Sequence, residues 1–136
     1  MRKRFCLCAL LICLVLLSSC SMQTYNSTDL LPEVADAKTG KTLLLSATVT
    51  ELASGKSVTL SDEDLASLLL NLENMECTRG KAEDGETALY RVSFVLDGGA
   101  ADDWLICNKV AFAVGAYRYS SIRGSIDLFW FARLFS

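Results

Sequence analysis

The first 20 residues constrain the rest of the chain most, because they separate a segment that is removed from a segment that folds. Three basic residues, Arg2, Lys3 and Arg4, precede an uncharged apolar run from Phe5 to Leu17, and Leu17-Ser18-Ser19-Cys20 follows. A basic start, a short apolar run and small residues before a cleavage point are the parts of an export signal. The apolar run is also shorter than the roughly 20 residues that a membrane-spanning helix needs.

The tetrad Leu17-Ser18-Ser19-Cys20 matches the lipobox, a hydrophobic residue followed by two small residues and a cysteine that takes a diacylglycerol. We therefore predict a lipoprotein signal peptide over residues 1–19 and a lipid with palmitate-type acyl chains on Cys20. Two or more chains hold a protein durably at a membrane. The expected location is the extracytoplasmic face of the cell membrane. A transmembrane anchor and free secretion are the alternatives.

The residues after Cys20 fall into two segments that differ in composition. The stretch up to Gly40 is polar and shows no sustained apolar period, so we predict a lipidated tether over residues 20–40. Residues 41–136 are long enough for one small domain. Apolar residues make up 51% of the whole chain, which argues against a disordered domain.

The domain pattern predicts an α+β fold. Ser61 is a suitable N-cap, and Asp64 completes a capping-box pattern ahead of an apolar stripe on one face of a helix that ends at Met75. Shorter segments have the alternating or apolar character of strands. They cover residues 41–52, 57–60, 89–96, 104–107, 109–114 and 117–120, and residues 76–78 look like the start of a strand.

The stretch from Ile126 to Phe135 fits either a short closing helix or an edge strand, and we favour the helix. The expected order is β-β-α-β-β-β-β with this possible C-terminal helix. Because short turns join successive strands, we expect a mostly antiparallel sheet with the main amphipathic helix packed on one face.

Six cysteines are present, but three belong to the predicted signal and Cys20 is assigned to the lipid. Cys77 and Cys107 remain, in two strand-like segments. An extracytoplasmic compartment permits a disulfide between them. Two separate buried thiols are the alternative, since free cysteine packs as a small apolar residue.

Composition excludes several function classes. Histidine, the commonest metal ligand and general base, is absent. Removal of the signal leaves 10 basic against 16 acidic residues, which argues against a nucleic-acid partner. No phosphate loop, dinucleotide fingerprint or nucleophile elbow stands in the sequence. We therefore expect no cofactor, no metal and no catalytic residue.

Three groups of residues offer weaker possibilities. The carboxylates of Asp97, Asp102 and Asp103 suit calcium, although Asp and Gly are also ordinary turn residues. Glu83, Asp84 and Glu86 form an acidic loop that we expect to be solvated. Aromatic residues crowd the C-terminal end, where they serve either a core or a contact surface: Tyr117, Tyr119, Phe129, Trp130, Phe131 and Phe135.

The chain resembles small Gram-positive lipoproteins that carry a compact domain of unknown function. The resemblance rests on LSSC, VTLSDEDLASLLLNLENMECTRG, LYRVSFVLDGG, the Tyr117–Tyr119 segment and GSIDL, which span most of residues 41–128. Cys77, Cys107 and the ending FWFARLF depart from that pattern. The resemblance implies a lipoprotein with an α+β domain and carries over no catalytic residues.

These observations favour a non-enzymatic binding or interaction module held at the membrane through Cys20, with an unidentified protein or small molecule as its partner. A small cell-envelope enzyme is one alternative, with Asp102 paired to Asp103 or Glu76 for acid–base work. An accessory subunit of a membrane complex is the other.

Overall fold

A computed structural model describes residues 23–30, 36, 40, 43–73, 75–109 and 111–136. The predicted signal peptide and Cys20 lie outside the described residues. Within these ranges the chain forms nine strands, two α-helices and a 3-10 helix over Ser27–Leu30. The strands are β1 (Thr24–Asn26), β2 (Leu44–Glu51), β3 (Ser57–Thr59), β4 (Glu76–Arg79), β5 (Ala88–Leu96), β6 (Gly99–Ala100), β7 (Trp104–Cys107), β8 (Ala111–Val114) and β9 (Tyr117–Arg123). The helices are α1 (Asp62–Glu73) and α2 (Leu128–Arg133).

The strands build one sheet in which every recorded pair is antiparallel. Their order is β1-β4-β9-β8-β7-β5-β2-β3, and β6 pairs with β5. The predicted α+β class with a mostly antiparallel sheet is confirmed. The predicted order had two strands before the main helix and four after it, whereas the described chain has three before and six after.

One face of the sheet, here called the inner face, carries the core. Strand β5 shows the alternation expected of a half-buried strand, with its even-numbered residues from Tyr90 to Leu96 buried. Neighbouring strands add large buried side chains to the same face, among them Val49, Trp104, Ile106, Phe112 and Tyr119. The opposite face, the outer face, carries residues such as Thr48, Arg91 and Arg118.

Helix α1 forms where the sequence predicts it. Asp64 N–H donates to Ser61 Oγ at 3.2 Å, so Ser61 is the expected N-cap. Leu68 and Leu72 are buried in the core, while Leu70 on the other side of the helix is 63% exposed. Each leucine fully buried in this way contributes roughly 1.5–3 kcal/mol to folding.

The N-terminal boundary differs from the prediction. Residues 24–30, which we assigned to the tether, belong to the fold: β1 pairs with β4 at one edge of the sheet. Ser27 N–H then donates to Met75 O at 3.0 Å, and the buried Ser27 hydroxyl donates to Leu72 O. A three-residue edge strand leaves no periodic pattern, because only Tyr25 among its residues is partly buried.

The C-terminal stretch is a helix, as favoured from the sequence. Asp127 Oδ1 accepts hydrogen bonds from Phe129 N–H at 3.0 Å and Trp130 N–H at 3.2 Å, which caps α2. Phe131 is buried and stacks on Tyr90 with 5.1 Å between ring centroids. In the part of the chain that the structure describes, neither length nor hydropathy qualifies a helix as a membrane span.

Candidate functional site

A groove of about 540 Å³ runs between the two helices and β3, and we call it the α1–α2 groove. The residues that line it are Val58 from β3, Glu63, Asp64 and Ser67 from α1, and Trp130, Arg133 and Leu134 from the C-terminal end. Most of these side chains belong to the two helices and are therefore held on regular backbone rather than on loops. Each helix also begins with a capped N-terminus.

Charges of both signs meet in the α1–α2 groove. Asp64 accepts a hydrogen bond from Ser61 Oγ at 2.9 Å, so part of its carboxylate is used by the cap. Glu63 and Arg133 are exposed, and Trp130 is 7% exposed. The groove is therefore lined mainly by polar and charged groups, with a largely buried indole beside them.

A second surface lies near the β1 edge of the sheet, where three tyrosines surround Arg79; we call it the Arg79–tyrosine cluster. The guanidinium carbon lies 3.8 Å from the ring centroid of Tyr117, 5.3 Å from that of Tyr25 and 5.7 Å from that of Tyr119. Arg79 Nη2 also donates to Tyr119 Oη at 3.3 Å. These contacts are cation–π interactions, which hold the guanidinium while keeping its charge.

Strand register explains this cluster. Arg79 is opposite Tyr119 across β4 and β9, and Tyr25 is opposite Cys77 across β1 and β4. Side chains two residues apart on a strand share a face, so all four members of the cluster meet on the inner face. Tyr119 is 3% exposed, whereas Tyr117 is 52% exposed. Sequence reasoning singled out Tyr117 and Tyr119 but missed Arg79 and Tyr25.

The acidic loop is not fully solvated as expected. Glu86 reaches back across the outer face to Arg118, which donates from Nε to Oε1 at 2.9 Å and from Nη2 to Oε2 at 2.5 Å. The Arg118 side chain is 14% exposed and that of Glu86 only 4%. The hydrogen bonds from Arg118 lower the pKa of Glu86 below its ordinary value. The prediction holds for Glu83 and Asp84, which are exposed.

The loop that carries Glu86 is also held by Asn108 at the end of β7. Thr87 N–H donates to Asn108 Oδ1 at 2.8 Å, and Asn108 Nδ2 donates to Gly85 O at 3.1 Å. Lys109 Nζ donates to Asp84 O. These contacts tie residues 84–87 to the outer face, so the ion pair stabilises a loop that covers part of the sheet.

The two remaining cysteines lie far apart. Cys77 in β4 and Cys107 in β7 are free thiols with β9 and β8 between their strands. Neighbouring strands are about 4.8 Å apart, so three steps exceed the roughly 7 Å between Cα atoms that a disulfide allows. This arrangement is that of two separate buried thiols. Burial raises the pKa of Cys77 to about 11 and also raises that of Cys107.

The carboxylates proposed for acid–base work are not brought together. Asp103 lies 3.8 Å from Arg91 Nε on the outer face, and Glu76 lies 3.6 Å from Arg123 Nε at the opposite end of the sheet. Asp102 and Asp103 do line a shallow depression of about 400 Å³ with Arg91 and Gly115. Among the described residues no three His, Cys, Asp or Glu side chains gather as metal ligands, so the calcium hypothesis gains no support.

The C-terminal aromatic residues are divided between the core and the exposed surface. Phe131 and Tyr119 are core residues, and Trp130 lies edge-on to Phe131 at 5.0 Å between ring centroids. Phe129 is 84% exposed and Tyr117 half exposed. Buried and exposed aromatic side chains therefore alternate along the same segments.

A comparison of the chain with protein-family models, curated proteins and solved structures finds no match.

Proposed function

We propose that the protein is a lipoprotein anchored through Cys20 at the extracytoplasmic face of the cell membrane, where it acts as a non-enzymatic binding module. The observation that carries the anchor is the sequence Leu17-Ser18-Ser19-Cys20 at the end of a charged and apolar segment. Strand β1 begins at Thr24, only four residues later, so the motif ends just before the folded domain. A lipid on Cys20 would leave that domain intact.

The α1–α2 groove supports binding rather than catalysis. Of its two carboxylates, Asp64 already accepts a hydrogen bond in the helix cap, and Glu63 is exposed to solvent. The groove instead combines an indole, a guanidinium and carboxylates, which recognise a ligand by shape and charge.

The partner that fits this groove is a peptide segment or small molecule with a cationic group for Glu63 and an anionic group for Arg133. Both helices hold their lining side chains on regular backbone, so the groove needs little ordering when a ligand binds. Preorganisation of this kind improves affinity by lowering the entropic cost of association.

Membrane fractionation tests the anchor. We expect the wild-type chain in the membrane fraction with a diacylglyceryl mass on Cys20, and Cys20→Ser either released or held as an unprocessed precursor. Processing and membrane retention of Cys20→Ser at the wild-type level would overturn the lipoprotein assignment. Ser19→Ala, which keeps a small residue before the cysteine, is the matched control and should behave as wild type.

Site-specific photo-crosslinking tests the binding module in cells that carry the intact anchored chain. A benzophenone amino acid in place of Ser67 lies in the α1–α2 groove, whereas the same residue in place of Ala66 lies on the exposed side of α1. We expect a discrete crosslinked species from position 67 that is absent from position 66. Identical products from both positions, or none from either, would contradict a partner in this groove.

A further inference from the structure

The direction of β1 decides which part of the domain lies next to the proposed lipid anchor, so the inference below rests on the proposed function. Thr24 is opposite Thr78, and Asn26 is opposite Glu76. The antiparallel pairing therefore places the N-terminal end of β1 beside the end of β4 that carries Arg79. The chain enters the domain next to the Arg79–tyrosine cluster.

The distance available between lipid and domain is short. Three residues stand between Cys20 and Thr24. Even fully extended, four residue steps span roughly 13–14 Å. Headgroups and interface add about 10–15 Å in total to a hydrocarbon core of about 30 Å, which is roughly 5–8 Å on each side. The proposed anchor would therefore keep the start of β1 within roughly 10 Å of the headgroup layer.

We propose that the Arg79–tyrosine cluster docks on the anionic phospholipid headgroups of the membrane that holds the anchor, with Arg79 binding a lipid phosphate. Among the described residues no carboxylate forms an ion pair with Arg79. One ring of the cluster, Tyr117, stacks on the guanidinium at 3.8 Å, which leaves N–H groups at its edge for an anion. Arginine and phosphate form strong bidentate hydrogen bonds.

The tyrosines add a second reason for this choice of partner. Tyr117 is 52% exposed, and tyrosine is enriched where an apolar membrane meets water because its ring is apolar and its hydroxyl is polar. Lys81, also exposed, follows Arg79 by two residues and adds a positive charge at this end.

Acidic residues also lie in segments that adjoin the Arg79–tyrosine cluster. The Glu86 carboxylate is neutralised by Arg118. Asp102 Oδ2 lies beside Gly115 in the turn that precedes Tyr117. The domain as a whole is acidic, so an anionic surface repels most of it and selects the orientation in which Arg79 and Lys81 face the lipid.

The test uses the lipidated mature protein in nanodiscs that carry a gadolinium-labelled headgroup, with amide NMR signals as the readout. We expect the strongest paramagnetic broadening at Thr24, Gly80 and Tyr117, and stronger broadening in discs with phosphatidylglycerol than in discs of phosphatidylcholine alone. Arg79→Gln should lower the equilibrium constant between docked and undocked orientations by about fivefold, the effect expected for one basic residue near an anionic surface. Lys56→Gln, which removes one exposed positive charge from the β2–β3 turn at the other edge of the sheet, should change nothing.

The other possible results distinguish a failure of the docking proposal from a failure of the anchor proposal. Uniform broadening, or strongest broadening around α2, in the wild-type protein overturns the docking while leaving the anchor intact, and this result depends on no variant. Inorganic phosphate that shifts the Arg79 and Tyr117 signals as much as phosphatidylglycerol does would show an anion site without lipid preference and overturn it too. A membrane-purified protein without a diacylglyceryl mass on Cys20 overturns the anchor and the docking together.

Discussion

Arg118 and Glu86, 32 residues apart in the chain, form a two-point ion pair whose side chains are almost excluded from solvent. The pair joins β9 to a loop that runs back over the outer face of the sheet. A buried carboxylate that loses its cationic partner keeps its desolvation cost, so the pair matters most when one half is removed.

We expect Glu86→Ala to destabilise the domain by about 3 kcal/mol at neutral pH, because Arg118 is then left without its counter-charge. Glu83→Ala in the same loop removes an exposed carboxylate and should cost less than about 0.5 kcal/mol. Urea denaturation of both variants measures the difference. Equal effects would show that the ion pair contributes no more than a surface charge.

The same pair predicts a pH dependence. The pKa of Glu86 is lowered in the folded state from an ordinary value of 4.5 by its hydrogen bonds with Arg118. Its contribution is therefore fully present above pH 4.5 and is lost as the pH falls through the lower folded value. The free-energy gap between wild type and Glu86→Gln should narrow below that pH. A gap that stays constant between neutral and acidic pH would contradict the assignment.

Leu68→Ala should lower the free energy of unfolding by roughly 2–5 kcal/mol, because it leaves a cavity where α1 meets the sheet. Leu68 is 1% exposed and Leu70 is 63% exposed, so Leu70→Ala is a control with the same chemical change on the same helix. We expect less than about 0.5 kcal/mol for the control. Thermal or urea unfolding of the pair decides which face of α1 is the buried one.

The cap of α2 gives a prediction with a conservative control. Asp127→Ala removes the acceptor for Phe129 and Trp130 N–H and should cost about 1 kcal/mol. Asp127→Asn keeps an acceptor of equal capping strength and should stay within a few tenths of a kcal/mol of wild type. If both variants lose the same stability, the charge of Asp127 rather than its cap is what matters.

Cys77 and Cys107 should both behave as free thiols that folding protects from alkylation. In denaturant without reductant, we expect alkylation of both Cys77 and Cys107, counted by mass spectrometry of their peptides. In the folded protein both should react slowly, since burial raises their pKa values and the thiolate is the reactive form. Failure of either cysteine to react until reductant is added would show a disulfide.

Glu86→Gln should increase the rate of Cys107 alkylation in the folded protein but leave Cys77 unchanged. Cys107 lies on the outer face, near the Arg118–Glu86 pair, whereas Cys77 is 0% exposed in the core. Local opening of a loop requires less free energy than global unfolding. Equal acceleration at both cysteines would indicate a global loss of stability instead.

Sequence patterns predicted the elements whose own residues show a helix cap or a regular apolar pattern. Ser61 and Asp64 mark the start of α1, the alternation around Val92 marks β5, and the apolar ending marks α2. Strand β1 was missed because three residues at a sheet edge bury little apolar surface.

The candidate sites were harder to predict because they depend on strand order. Arg79 meets Tyr25 and Tyr117 only because β4 lies between β1 and β9. Glu86 meets Arg118 only because a loop returns over the outer face. The acidic composition of residues 83–86 indicated solvation, and nothing local to that segment identifies which carboxylate is withdrawn from water.

The two outermost strands, β1 and β3, are each three residues long and mostly polar, with sequences TYN and SVT. Sheet edges with unpaired N–H and C=O groups invite pairing with another chain, and short polar edge strands limit it. Molecules confined to a membrane plane meet one another far more often than molecules free in solution. If the chain is lipid-anchored as proposed, short edges on this sheet would let many copies crowd together on one surface without polymerising side by side.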